Sequence, residues 1–507
     1  MVSGLFTGGL EGVDAFPVEV EVDYARQGLP GFSLVGLAET EVREARDRVF
    51  AAMRASGMHL PPGRITVNLA PAGRRKSGTA YDLPLAVALL AAADVVPEGA
   101  AAGWYLAGEL SLTGALRPVH GVLPLAILAA RRGARGLIVP PGNAAEAAIV
   151  AGLSVYAPES LTETVDFLSG KAALEPCRPL PPGDSASLPL DYAEVKGQFA
   201  AKRALEIAAA GGHNLLMIGP PGSGKTMLAQ RLPTILPPLS FDEALEVTKI
   251  YSVAGRLPAE SGLVAERPFR SPHHTLSGVA LVGGGTVPRP GEVSLAHRGV
   301  LFLDELPEYE KSALEALRQP LEDGVVTISR ATQSVTFPAA CMLVAAMNPC
   351  PCGYYGDEAH GCTCRAEQRQ RYRARLSGPL LDRIDLHVEV PAVPYADLSS
   401  AQPGLSSAEM RARVLAARDV QTRRYEGLPI HCNAALSGSL LEQHCVLDAE
   451  GHAVMQAATT RLGLSARAYT RILRLARTIA DLEGAASISP AHLAEAVSLR
   501  VLDRAGL

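Results

Sequence analysis

The stretch "NLLMIGPPGSGKTMLAQRL" (residues 214–232) decides how this chain is read. Its first residues form a short apolar run bounded by glycine, the mark of a buried strand, and its last carry a helical pattern. Between them stand Gly219, Pro220, Pro221, Gly222, Ser223, Gly224, Lys225 and Thr226. Small residues let backbone N–H groups wrap a polyphosphate, Lys225 neutralises β/γ charge, and Thr226 offers a hydroxyl to Mg²⁺. Strand before and helix after exclude a chance glycine-rich turn.

A nucleotide site of this kind needs carboxylates, and "GVLFLDEL" (299–306) supplies Asp304 and Glu305 at the end of a second buried strand. Asp304 is expected in the Mg²⁺ shell, and Glu305 is expected to orient or deprotonate the attacking water. "CMLVAAMNP" (341–349) ends a third strand in Asn348, which either senses the γ-phosphate or merely closes the strand with an Asn-Pro turn. "LSGPLLDRIDL" (376–386) places Arg383 before the last strand, as an arginine finger or as the partner of Asp382 or Asp385. "LSARAYTRIL" (464–473) puts Arg467 in the first turn of a helix. Together these five elements resemble an AAA+ ATPase with a helical lid. The resemblance implies a ring, because an arginine finger works across a subunit boundary; Arg467 acts in cis or in trans.

Outward from this core, the chain divides into four. Residues 1–170 mix alternating strands ("FPVEVEVDY", "GRITVNLAP") with Ala-rich helices. The Pro/Ser-rich 171–190 reads as a linker, 191–395 alternates apolar strands with helices as an α/β core, and 396–507 reads as helix throughout. The 507 residues are 48% hydrophobic and 20% charged with net charge −5, an ordinary globular composition that excludes a wholesale nucleic-acid coat but not a local basic channel. The N-terminus lacks a signal-peptide pattern, and the apolar run 83–93 is too short to span a bilayer, so a cytoplasmic protein is expected, with no membrane partner. Eight cysteines in so long a chain do not make a disulfide scaffold.

Two segments interrupt the ATPase pattern. "FRSPHHTLSGVALVGGGTVPRPGEVSLAHR" (269–298) suggests a projecting loop, and "DGVVTISRATQSVTF" (323–337) a hairpin around Arg330. They resemble the inserts of the magnesium-chelatase and MCM-helicase branch of AAA+ proteins, where both line the central pore; surface decoration is the alternative. The runs "PFRSPHHT", "GGGTVPRPGEVSLAHRGVLFLDELPE", "NPCPCGYYGD" and "YRARLSGPLLDRIDLHVEV" resemble the ComM (YifB) family of Mg-chelatase-like proteins over essentially the whole chain. That resemblance implies a hexameric, ATP-driven DNA translocase promoting branch migration during recombination of incoming single-stranded DNA, with recombination proteins as further partners. A protein-remodelling ATPase similar to the magnesium-chelatase motor subunit is the competing reading. A nucleotide-switched ring with little turnover is disfavoured by the intact Asp304-Glu305 pair.

The N-terminal segment resembles the Lon proteolytic domain, an α+β fold of the ribosomal S5 type. "GELSLTGALRPVHGVLPLAILAARRGARGLIVP" (108–140) follows the Lon pattern, but Leu123 stands where the catalytic lysine would be. "KSGTAYDL" (76–83) puts Ala80 at the serine position, with Ser77 or Thr79 as other candidates. A Ser–Lys pair needs an amine to take the hydroxyl proton, so a protease is excluded. "PAGRRKSG" gives Arg74, Arg75 and Lys76 a loop that either contacts phosphates or is simply solvated.

Finally, Cys350, Cys352, Cys362 and Cys364 are spaced C-x-C-x9-C-x-C, a set able to close a tetrahedral zinc site, with His360 a competing ligand and unliganded cysteines or a redox pair the alternatives. The arginines that follow (Arg365, Arg369, Arg371, Arg373, Arg375, around Tyr372) either face DNA phosphates or form a solvated helix.

Overall fold

The computed structural model describes residues 5–26, 29–180, 190–258, 262–285, 287–330, 333–357, 360–398, 404–500 and 502. In the N-terminal module the alternation of "FPVEVEVDY" is used directly: Val18, Val20 and Val22 are fully buried while the residues between them reach the surface. The resulting mixed seven-stranded sheet runs Gly31–Val35, Arg64–Ala70, Asp14–Ala25, Leu5–Glu11, Trp104–Leu106, Gly136–Ile138, Val155–Tyr156. Its first half is tied by the antiparallel pairings of Asp14–Ala25, and its second half is parallel. The apolar run near residue 83 is the helix Asp82–Ala92, apolar on all sides because residues 82–90 are all buried. Among the described residues no helix is long and apolar enough to cross a membrane.

The second module is a five-stranded parallel sheet in the order Phe269–Arg270, Val300–Leu303, Met342–Met347, Leu215–Ile218, Leu386–Glu389. Its strands are near-continuous apolar runs because helices cover both faces. The first strand in sequence lies between the fourth and the fifth. The loops after Leu215–Ile218, Val300–Leu303 and Met342–Met347 therefore leave the same edge side by side, the usual place for a ligand in such a sheet.

After the helix Tyr395–Leu398 the C-terminal part is helical: Ser407–Arg424, Gly438–His444, Ala449–Leu462, Ala466–Leu482 and Pro490–Ser498. Ser465 caps Ala466–Leu482, and Ser489 caps the last helix with Pro490 in its first turn. These helices share one hydrophobic core with the sheet, Ile472, Leu475 and Ile479 joining Leu215, Phe302 and Leu386.

The N-terminal module docks on the ATPase-like sheet through the helix Val122–Arg131, which packs against the helix Phe241–Ala254. The amide of Gly121 donates to Ser252 O at 3.0 Å, and the His120 ring lies against Gly255. Buried Glu146 accepts from Ser252 Oγ (2.5 Å), Asn143 Nδ2 (2.7 Å) and the amide of Leu123 (3.3 Å). Burial raises the pKa of this carboxyl, opposed by those bonds.

Candidate nucleotide site

The strand register fixes three walls. Gly219 donates its amide to Met347 O at 3.2 Å, so the phosphate loop starts level with the end of the strand that leads to Asn348. Gly224 adopts φ 90°, a left-handed turn that suits glycine, and releases the chain into the helix Lys225–Gln230. Lys225 Nζ donates to the carbonyls of Gly219 (2.7 Å) and Pro220 (2.8 Å) and lies 3.4 Å from Asn348 Oδ1. Burial lowers its pKa, against the pull of Asp304 and Glu305. Thr226 Oγ1 donates to Asp304 Oδ2 at 2.8 Å, setting two hard oxygen donors of the kind Mg²⁺ takes side by side. Lys225, Thr226, Asp304, Glu305 and Asn348 thus meet in one place.

Sequence reasoning left two side chains of this site without a role. Glu305 sits at φ 52°, an uncommon backbone for a non-glycine residue, and its carboxylate pairs with His274 Nδ1 at 3.1 Å. The His274 ring lies tilted against His273 at 4.2 Å and hangs from a segment held by Tyr309, whose hydroxyl donates to Pro272 O at 2.6 Å. The double histidine in "PFRSPHHT" was its only trace in the sequence. Gln198, at φ 54°, donates through Nε2 to Ser223 O (3.0 Å) and Pro391 O (2.7 Å), tying the phosphate loop to the chain after the last strand.

Arg383 and Arg467 lie elsewhere. Arg383 pairs with Glu322 and donates to Arg318 O (3.1 Å) and Pro379 O (2.7 Å); its carboxylate partner is neither Asp382 nor Asp385. Asp382 instead pairs with Arg467 at 3.3 Å, and Asp385 with Arg471 at 3.2 Å. Both arginines line a cleft of about 1320 Å³ between the sheet and the C-terminal helices, to which no residue of 219–226 contributes among the described residues. Arg418 Nε, Arg471 Nη1 and Arg474 Nε, on residues that line the same cleft, are buried without a hydrogen-bond partner.

The expected hairpin is present as Val325–Arg330 paired with Gln333–Pro338. The segment expected to be a projecting loop is more ordered than that: the helix Gly278–Val282 leads into the strand pair Gly283–Gly284 and Arg289–Pro290, then the helix Glu292–Leu295. Arg270 and Glu292 clasp its two ends at 2.6 and 2.9 Å. The side chain of Arg330 lies outside the described residues.

The loop with three basic residues needs correction. Lys76 is fully buried and donates to Gly36 O at 3.0 Å and to Pro71 O, and burial lowers its pKa. Arg74 pairs with Glu11 and covers the Phe16 ring, and Arg75 pairs with Glu39. Burial therefore takes Lys76 out of both readings of this loop, while Arg74 and Arg75 stay half-exposed in surface ion pairs. Leu123 is fully buried and Ala80 partly so, and neither carries a titratable group.

The four cysteine sulfurs lie within 4.8 Å of one another. His360 stands apart, its ring tilted against Tyr354 and paired with Asp357. The Cys352 thiol is held down to about 5, chiefly by the backbone at Tyr354, while burial pushes Cys350 up to about 12. Of the following arginines, Arg369 and Arg373 sit over the Tyr355 ring and exposed Arg375 pairs with Glu308, while Arg365 and Arg371 are also exposed.

Comparison with known proteins agrees with this geometry along the chain. Residues 191–398 match the family model described as magnesium chelatase, subunit ChlI; residues 18–143 and 404–500 match those for the ChlI subunit of Mg-chelatase and its C-terminal part. The protein YifB of Salmonella typhimurium is 49% identical over 495 residues, 97% of this chain and 96% of the relative. The competence protein ComM of Haemophilus influenzae is 47% identical over 499 residues, again 97% and 96%. The chain belongs to the ComM/YifB family of Mg-chelatase-like AAA+ proteins. Lon protease 2 of Bacillus subtilis is 29% identical over 160 residues, 29% of this chain and 28% of the protease. Membership of a Mg-chelatase-like AAA+ family carries ATP and Mg²⁺ chemistry with it.

Proposed function

We propose that the protein is a cytoplasmic, ATP-hydrolysing homohexameric ring that moves DNA through its pore and drives branch migration in recombination, as in natural transformation. The observation that carries the motor reading is the division of the nucleotide site. Lys225, Thr226, Asp304, Glu305 and Asn348 meet at the sheet edge, whereas Arg383 and Arg467 line a separate cleft together with Arg418, Arg471 and Arg474. A site whose two halves lie on different faces of one chain is completed by the next copy, and a head-to-tail contact whose rotation closes gives a ring.

In the bound site the N–H groups of Gly222, Gly224, Lys225 and Thr226 hold the phosphates, and the Lys225 side chain exchanges its two carbonyls for phosphate oxygens. Thr226 and Asp304 would hold the Mg²⁺, which neutralises phosphate charge. Glu305, aimed by His274, takes the proton of the attacking water, and Asn348 positions that water against the γ-phosphate. Arg383 and Arg467 of the neighbouring copy then stabilise the charge of the transition state. Both acting in trans is the reading their shared cleft favours.

The hairpin at Arg330 and the ordered insert are the elements best placed in sequence to grip a strand, with exposed Arg365 and Arg371 as further phosphate contacts. Cys350, Cys352, Cys362 and Cys364 suit Zn²⁺, and the N-terminal module is a Lon-like domain retained for assembly. ATP turnover with and without a four-way DNA junction, beside Glu305→Gln, tests the whole: stimulated turnover with junction movement, both lost in the variant, is expected. A second reading, a protein-remodelling motor, is favoured by one observation. Arg369, Arg373 and Arg375, three of the five arginines expected to face DNA, are engaged within the chain. Turnover indifferent to DNA would select it.

A further inference from the structure

We propose that the four-cysteine knuckle is a metal-held brace of the nucleotide site, so that affinity for ATP depends on a Zn²⁺-class ion bound by Cys350, Cys352, Cys362 and Cys364. This rests on the zinc reading above and gives that ion a task. The knuckle touches all three walls of the site. Asn348 is separated from Cys350 by Pro349 alone, so the position of the sensing amide is set by the first ligand. Gly353, at φ 90°, lies flat on the phosphate loop: a Cβ there would stand 2.5 Å from Pro221 Cδ and 2.8 Å from Cγ. The third contact runs through the helix Ala366–Arg373, whose Arg369 stacks on Tyr355 at 4.3 Å and donates to Cys364 O at 3.1 Å. Just beyond that helix, Arg375 donates to Pro307 O (3.0 Å) and Glu308 Oε2 (2.6 Å), in the turn that follows Asp304 and Glu305.

The knuckle has little else to hold it. Among the described residues, 350–364 contain no helix or strand, and Cys350 alone of the four cysteines is fully buried. A segment with so little apolar burial keeps one shape only when cross-linked. The sulfur positions suit such a link. Cys350 and Cys352 lie 3.3 Å apart, and each is 3.7 Å from Cys362. A tetrahedron with metal–sulfur bonds of about 2.3 Å separates its sulfurs by about 3.8 Å. With the ion gone, Pro221 loses the backbone it rests on and Asn348 loses its fixed neighbour.

The test uses the full-length protein. Metal content is measured as purified; the ion is stripped with a thiol reagent and chelator, reversed, and reloaded with Zn²⁺. The Kd for a fluorescent ATP analogue is read at each stage, with circular dichroism reporting the fold. We expect about one ion per chain, a Kd at least about tenfold weaker after stripping, and recovery on reloading. Gly353→Ala, which keeps all four thiols, should retain its ion and weaken the analogue in the same direction. A bound ion whose removal leaves Kd unchanged, with Gly353→Ala binding normally, overturns the brace and leaves the zinc reading intact. Protein that carries no ion and takes none up from Zn²⁺ overturns both.

Discussion

Mixing two inactive variants turns the divided site into a quantity. Lys225→Ala removes the ammonium that faces the phosphates, and Arg383→Ala removes a guanidinium that lines the other cleft. If Arg383 serves the neighbouring copy's ATP, each variant alone should lose about a thousandfold or more of its turnover, the size of an arginine-finger deletion. In rings assembled at random from equal amounts, a boundary works only when an intact phosphate loop faces an intact arginine. That combination occurs at about one boundary in four, so turnover should recover to about 25% of the parent, whatever the ring size. Lys225→Ala with Arg467→Ala should recover similarly. Arg383→Ala with Arg467→Ala should recover nothing, because no chain then carries both arginines. Phosphate release at saturating ATP, after subunit exchange checked by sizing, reads all three. A first mixture no more active than its components would refute the reasoning and leave Arg383 as a structural anchor on Glu322 and Arg318.

Thr226→Ala removes the hydroxyl that pairs with Asp304, and kcat should fall about a hundredfold or more; a smaller loss in single-turnover kinetics would argue against a metal role for this pair. His274→Ala should lower kcat about tenfold with KM for ATP little changed, because it frees the Glu305 carboxylate and touches no phosphate group; an unchanged kcat would show that the histidine does not aim it. Leu123→Lys with Ala80→Ser should give no peptidase activity on unfolded casein and a lower Tm, since the ammonium enters a fully buried position; casein cleavage would reopen the protease reading. The Asp191 carboxyl is held below its usual 3.8 by the amides of Ala193 and Ser407. Its folded-state pKa lies below the unfolded one, so its stabilisation is present at neutral pH and is lost as pH falls from about 4 through the folded value. Asp191→Asn should flatten that part of a Tm-against-pH curve, and an unchanged slope would assign it to other carboxylates.

What the sequence made legible was local. The glycine-rich turn after "NLLMI" and the carboxylates after "VLFL" are each set by a strand and its own loop, so their residues could be read from spacing alone. The helix caps at Ser465 and Ser489 were legible for the same reason. Contacts between distant segments were not. Nothing near residue 274 marks a partner at 305, and the Pro221–Gly353 contact needs the order of the sheet before it can be imagined. Charge was the poorest guide. "GRRK" reads as a solvent-facing basic loop, yet Lys76 finds two carbonyls inside the module, an outcome only tertiary structure decides. Likewise Arg383 passes over the two aspartates beside it in sequence for Glu322.

The single hydrophobic core that joins the parallel sheet to the C-terminal helices has a mechanical consequence. Where base and lid interdigitate through Phe302, Leu386, Leu475 and Ile479, close packing resists sliding, and hinging the two apart would open that interior to water. A turnover-driven stroke of any size is then not an internal flexing of one chain. In the proposed ring, base and lid would move as one stiff lever, and the joint on which it turns would be the seam with the next copy. Work on a substrate would be done by tilting whole subunits against each other.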